Sequence, residues 1–174
     1  MGARTDQVND PRLAAQLLMA RRGQAFFARK LNELRDDQFG GPSRVPGWSR
    51  AHVVAHVGYH ARAIARLIEG AATGAEVHMY DDPRQHAEEV SFAATLPVEA
   101  LRNLVAHAAV HLNVEWRDLP EQAWSRPVIL DDGVAVPASD TVRLRAREVW
   151  LRALDLRNGA VITDLPPEVR AGAR

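Results

Sequence analysis

The stretch SRAHVVAHVGYHARAIARLIEG, Ser49 to Gly70, decides how the rest of the chain is read. Val53, Val54, Val57, Ile64, Leu67 and Ile68 fall on one face of a helix, and Ser49 stands where an N-cap is wanted. Pro46-Gly47-Trp48 ahead of it breaks any preceding element, and the helix is expected to close near Gly70. His52, His56 and His60 recur every four positions, which lays three imidazoles along one stripe of the same helix. On a bundle helix such a stripe can face the interior, where metal sites are built from side chains of facing helices.

Three further stretches carry the same apolar period. One follows Asn9-Asp10-Pro11, with Leu13, Leu17, Ala20, Phe27, Leu31 and Leu34 on its face. Another begins at about Pro97, shows Leu101, Leu104, Val105, Ala108 and Leu112, and ends before Pro120. The last starts near Ser139, carries Val142, Leu144, Val149, Leu151, Leu154 and Leu156, and stops at Asn158-Gly159. Between the third and fourth, Trp124 to Leu130 and Val134 to Val136 flank Asp131-Asp132-Gly133, a turn that predicts a β-hairpin. The connectors near 36–47 and 72–96 are longer than the ~2–8 residues usual in an up-and-down bundle. They imply crossover connections or loops over a site. The expected architecture is all-α: a four-helix bundle with long crossovers and a small inserted hairpin. Pro166-Pro167-Glu168 opens a fifth helix that the chain does not extend far.

Composition agrees and excludes several classes. The 174 residues suit one domain, 47% of them hydrophobic and 25% charged. Twenty-two basic residues balance 22 acidic ones, so no overall field draws the chain to nucleic acid or to an anionic membrane. No apolar run reaches the ~20 residues of a membrane span, Met1 to Asp10 lacks a secretory core, and a cytoplasmic protein is the default expectation. The absence of cysteine rules out thiolate ligands and cysteine nucleophiles. Neither a Gly-rich phosphate loop nor a nucleophile elbow is present.

Other polar residues carry weaker signals. His107, His111 and Glu115 stand at steps of four on the third helix, a nominal metal spacing that also fits a solvated flank. Glu148 lies among Val149, Trp150 and Leu151, where an unpaired charge is costly, and Arg152 one turn on can pair with it.

Val45 to Val57, Trp124 to Ser139 and Arg147 to Leu156 together resemble, in that order, segments of the mycothiol-dependent maleylpyruvate isomerases. Weaker similarity, including Met79-Tyr80 and Ala100 to Leu104, extends it from about Asp10 to Leu165. The resemblance implies a DinB-like bundle over residues 1–165, with 166–174 a tail that begins a missing C-terminal region. It also implies a zinc or other divalent ion, bound by a bundle histidine and by a glutamate and a histidine four residues apart on the last helix. His56 matches the first ligand and Glu148 the second, but Arg152 stands at the third, and a guanidinium has no lone pair to give. Three outcomes follow: Arg152 takes the ion's place, bridging to Glu148 and hydrogen-bonding His56; His60 replaces the third ligand; or the site has no defined occupant. Family members continue into an α/β domain, so residues from it are expected to be lacking. Where the family carries an arginine ahead of the third helix, this sequence has His86, with Arg84 two residues earlier.

The implied reaction is thiol-assisted cis–trans isomerisation of an unsaturated diacid, with mycothiol as the thiol and activity reduced or altered. The alternatives are a metal-free module binding a small anionic ligand through Arg152, and a diverged thiol transferase. Apolar surface left by the missing region makes a homodimer an expectation as well.

Overall fold

In the computed structural model, which describes residues 5–172, six helices and one hairpin follow in chain order. They are α1 (Pro11–Asn32), α2 (Arg50–Thr73), α3 (Pro83–Ala93), α4 (Val98–Asp118), β1 (Pro127–Ile129), β2 (Ala135–Pro137), α5 (Asp140–Asp155) and α6 (Pro167–Ala171). Helices α1, α2, α4 and α5 form a DinB-like four-helix bundle. Helix α1 packs along α5 and α2 along α4, while α2 also meets α5. Successive helices α1 and α2 therefore lie across the bundle from each other, and the links 33–49 and 119–139 cross its ends.

Local chemistry explains the helix limits. Asp10 caps α1 by accepting from the Arg12 amide at 2.9 Å, with Pro11 at the first helical position. Ser49 caps α2 by accepting from the His52 amide. That helix runs a turn beyond Gly70 and stops where Gly74 takes φ +76°, a left-handed conformation that glycine adopts without a Cβ clash. The hairpin pairs Val128 with Val136 around a turn with Gly133 at φ +79°. Its first strand is shorter than expected, because Trp124 sits in a 3-10 turn over Glu121–Ser125 that faces its ring inward. The chain from 77 to 79 joins the hairpin edge, with Met79 N donating to Ile129 O at 2.8 Å and Ile129 N to Val77 O at 3.2 Å.

The connector 72–96 is not irregular throughout, since it contains α3. Only Val90 and Ala93 of that helix are buried, which is why its apolar period is faint. The segment beginning at Pro166 forms α6, and Val169 from it is buried against the bundle. Residues 1–4 and 173–174 of the two expected segments lie outside the described residues.

The core divides along the bundle axis. Leu17, Ile64, Leu67, Leu112, Trp116 and Trp124 fill the hairpin end. Phe27, Val53, Val57, Leu101, Val149 and Leu156 fill the other. Each such side chain contributes about 1.5–3 kcal/mol by leaving water. At the boundary lie Gln24 of α1, His60 of α2 and Arg145 of α5. At the far end the α1–α2 crossover is clamped to the end of α5: Arg50 Nε donates to Leu156 O at 2.6 Å, and Arg44 N to Asp155 O at 3.0 Å.

Candidate functional site

The histidine stripe of α2 meets the acidic edge of α5 beside Trp48. Gly47 at φ +78° turns the chain so that the Trp48 ring stands over the first turn of α2. Its centroid is 6.1 Å from that of His52 and 5.3 Å from that of His56. His52 Nδ1 lies 2.8 Å from Ser49 Oγ, so this histidine belongs to the helix cap.

His56 Nε2 lies 2.7 Å from Glu148 Oε1, and Arg152 Nε donates to the same oxygen at 2.7 Å. Arg152 Nη1 donates in turn to Asp155 Oδ2 at 2.7 Å. One carboxylate oxygen thus joins two helices, and Arg152 reaches His56 only through it. Burial alone would push the Glu148 carboxyl up. The His56 hydrogen bond and nearby positive charge outweigh it and hold the group well below the usual carboxylate range. Burial disfavours the Arg152 charge too, yet Glu148 and Asp155 raise its pKa above the ordinary arginine value. Because an ionised Glu148 can only accept, the proton of a neutral His56 sits on Nε2, and Nδ1 keeps a lone pair.

His60 occupies a different environment. It is buried, and its Nδ1 lies 3.3 Å from Arg145 Nη1. Since the guanidinium only donates, Nδ1 is the acceptor. Burial pushes its pKa down to about 3. Among the described residues no hydrogen bond joins His60 to Glu148. His86 does approach the stripe, from α3, with its ring centroid 5.9 Å from that of His56 and stacked 3.9 Å from Tyr80. Its Nε2 is buried with no hydrogen-bond partner among the described residues, and burial lowers its pKa. A cavity of about 460 Å³ opens beside it, lined by Tyr59, Arg62, Arg66 and Tyr80 among others.

The donor set does not fit a catalytic zinc ion, which takes three protein ligands and an open position. His56 Nδ1 and Glu148 Oε2 could serve, but the Arg152 cation lies 2.7 Å from Glu148 Oε1 and a third ligand is wanting. Arg152 has no lone pair, and His60 Nδ1 is spent on Arg145.

On the outer surface His111 Nε2 lies 2.9 Å from Glu69 Oε1 of α2 and 3.4 Å from Glu115 Oε1. These three side chains form the one metal-ligand grouping found among the described residues. His107 is exposed and outside it. The i,i+4 spacing on α4 was visible in the sequence; the approach of Glu69 from another helix was not. Apolar period and histidine spacing single out neither Trp48 nor Arg145. The first sits in the Pro-Gly-Trp turn that opens α2, which was a usable signal, and the second carried none.

Residues 20–157 match the sequence model of the mycothiol maleylpyruvate isomerase N-terminal domain. Among solved structures the chain is similar to that of the mycothiol-dependent maleylpyruvate isomerase, at 42% identity and a TM-score of 0.88 over 91% of this chain and 65% of that one. A histidine-to-alanine mutant of the mycothiol-dependent maleylpyruvate isomerase matches over the same shares, at 41% identity and 0.88. YfiT from Bacillus subtilis, described as a probable metal-dependent hydrolase with an unusual four-helix bundle topology, shares the fold at 14% identity. Its TM-score is 0.67, over 90% of this chain and 89% of that one. The chain spans 65% of the length of the two isomerase structures. No curated protein matches it. No helix among the described residues is long and apolar enough to cross a membrane.

Proposed function

From the fact that this chain belongs to the family of mycothiol maleylpyruvate isomerase N-terminal domains, we propose that it binds a low-molecular-weight thiol and a small anionic substrate beside Trp48, and acts on them without a bound metal ion. The supporting observation is the Glu148 oxygen shared by His56 and Arg152. In this reading the Arg152 guanidinium supplies beside Glu148 the positive charge that an ion would otherwise bring.

Each residue then has a task. Glu148 orients the His56 ring and fixes its proton on Nε2, as the acid of a nucleophile–base–acid arrangement does. His56 Nδ1 takes the thiol proton. A thiol with pKa near 8.5 gives up its proton to imidazole reluctantly, and the positive Arg152 guanidinium favours the thiolate and holds a substrate carboxylate. The thiolate adds to one alkene carbon of a cis unsaturated diacid. The carbon–carbon bond then rotates as a single bond, and the thiolate leaves again. The proton returns from His56 to sulfur when the thiol departs, so nothing is consumed. Without a Lewis acid the rate is lower than metal assistance would give. Residues 1–165 act in this reading as one bundle domain, in the cytoplasm and free to pair as a homodimer. A bundle that takes up the thiol and anion with no turnover would instead be a binding module.

Zinc stoichiometry tests the reading. Because Glu69, His111 and Glu115 could retain zinc on their own, the measurement uses a His111→Ala background. After zinc loading and desalting, that protein is expected to hold almost none, and Arg152→His to hold about one equivalent, since it completes a three-ligand set. One equivalent in the parent that His56→Ala removes would overturn the metal-free reading. An Arg152→His protein with unchanged zinc content would show that residue 152 does not face the site.

A further inference from the structure

Arg145 is the largest fully buried side chain of the protein, with 2% of its surface exposed. Its Nη1 donates to Val57 O at 2.9 Å and faces His60 Nδ1 at 3.3 Å, and its Nη2 donates to Gln24 Oε1 at 2.7 Å. All three partners are neutral. Among the described residues no carboxylate forms an ion pair with it. Glu148, one turn along α5, acts on it through space but is held by His56 and Arg152. Burial lowers the Arg145 pKa to about 10, which leaves it a cation at neutral pH. A buried charge with no carboxylate in direct contact is costly, and folded proteins ordinarily provide one.

The guanidinium borders a cleft of about 260 Å³ between α1 and α4, lined also by Arg21, Gln24, Ala109, Asn113 and Trp116. The polar groups of this lining have their acceptors occupied. Gln24 Oε1 receives Arg145, and Asn113 Oδ1 receives Arg21 Nε at 2.7 Å, so the N–H₂ group of each amide remains as a donor. Trp116 is 3% exposed, and its indole Nε1 is buried without an acceptor. Arg21 stands at the rim in a two-point pair with Asp6. Among the described residues the cleft therefore has donors to spare, the Trp116 N–H among them, and a guanidinium with no carboxylate in contact.

We propose that the α1–α4 cleft is a second ligand site, for a small organic carboxylate that brings negative charge to Arg145 and an acceptor to the Trp116 N–H. Apolar Ala20 and Leu112 in the wall suit a short alkyl chain on that carboxylate. The site stands apart from the His56–Glu148–Arg152 chain and does not depend on the function assigned to it.

Calorimetric titration of the whole protein in Tris buffer tests this, with butanoate, the isosteric neutral butanamide, and inorganic phosphate as probes. Butanoate is expected to bind saturably, with butanamide at least tenfold weaker, since one lost charge-assisted contact is worth about 1.5–3 kcal/mol. Ala109→Leu, which fills the cleft, should weaken butanoate about tenfold, and Trp116→Phe, which removes only the N–H, several-fold. Arg152→Gln, which removes the group that would hold a carboxylate at the other site, should leave binding unchanged. Absence of saturable butanoate binding overturns the proposal, as does equal affinity for butanamide. Tighter phosphate binding overturns the carboxylate assignment. Butanoate binding lost in Arg152→Gln but kept in Ala109→Leu and Trp116→Phe would move the ligand to the other site and overturn the proposal.

Discussion

His60 shows how one buried side chain can set the acid limit of the protein. Its pKa is about 3 in the fold against an ordinary value of 6.5, because burial opposes its charge and Arg145 repels it. Between those two values the unfolded chain binds the extra proton, so stability falls as the pH drops through that window. At pH 5 this single group removes about 2 kcal/mol relative to pH 7. Glu148, held below the carboxylate range, adds a further loss at more acid pH, as protons reach a group that the fold wants ionised. His60→Asn keeps an acceptor for Arg145 and abolishes the titration. Urea midpoints at pH 7 and pH 5 should therefore lie closer together in the variant than in the parent; an undiminished gap would assign the acid sensitivity elsewhere. The positions of His56, Glu148 and Arg152 were readable, since helical spacing and a family resemblance both singled them out. Arg145 was not. It lies between Leu144 and Ala146 on a helix with six arginine or acidic neighbours, and its burial depends on Gln24 and the Val57 carbonyl, which come from other helices.

Helix contacts separate two glycines that look alike in the sequence. A Cβ on Gly23 of α1 would come within 2.6 Å of Val149 Cγ2 and 2.7 Å of the Trp150 indole, both stiff groups of α5. A Cβ on Gly58 of α2 would meet Leu104 alone, with Cγ at 2.6 Å and Cδ2 at 3.0 Å. Gly23→Ala should cost about 1–3 kcal/mol by forcing α1 from α5. Gly58→Ala should cost less, because Leu104 can rotate and alanine favours the helix by about 1 kcal/mol. Chemical denaturation of the two variants reads the difference, and equal losses would contradict it. The four bundle helices were legible at this scale, since each has a long apolar face with marked ends. Helix α3 had the same Asp-Pro start as α1, at Asp82-Pro83, and its side chain does cap the Arg84 amide at 2.8 Å. It went unread because two buried positions make too short a stripe to register as a period.

For the molecule as a whole, the sequence supplied the bundle and the hairpin but not their arrangement. Nothing in apolar spacing tells a diagonal connection from an adjacent one; that choice is made by the end-to-end packing of α1 on α5 and α2 on α4. Both core clusters are threaded by α1, α2, α4 and α5, so neither can melt without pulling on all four helices. Unfolding is expected to be a single cooperative step. Far-ultraviolet circular dichroism and tryptophan fluorescence should give coincident urea transitions, since Trp116 and Trp124 report on one cluster and Trp150 on the other. Two separated transitions would show the clusters to be independent units.

The Arg50 clamp bears on all of this. The guanidinium at the head of α2 holds the carbonyl of Leu156, which caps α5, and the Arg44 amide holds Asp155 O. The α1–α2 crossover is therefore docked on the end of α5 by hydrogen bonds that lie outside the His56–Glu148–Arg152 chain. Neutralising His56, Glu148 or Arg152 leaves that docking in place, so the register of α2 against α5 is expected to survive the change.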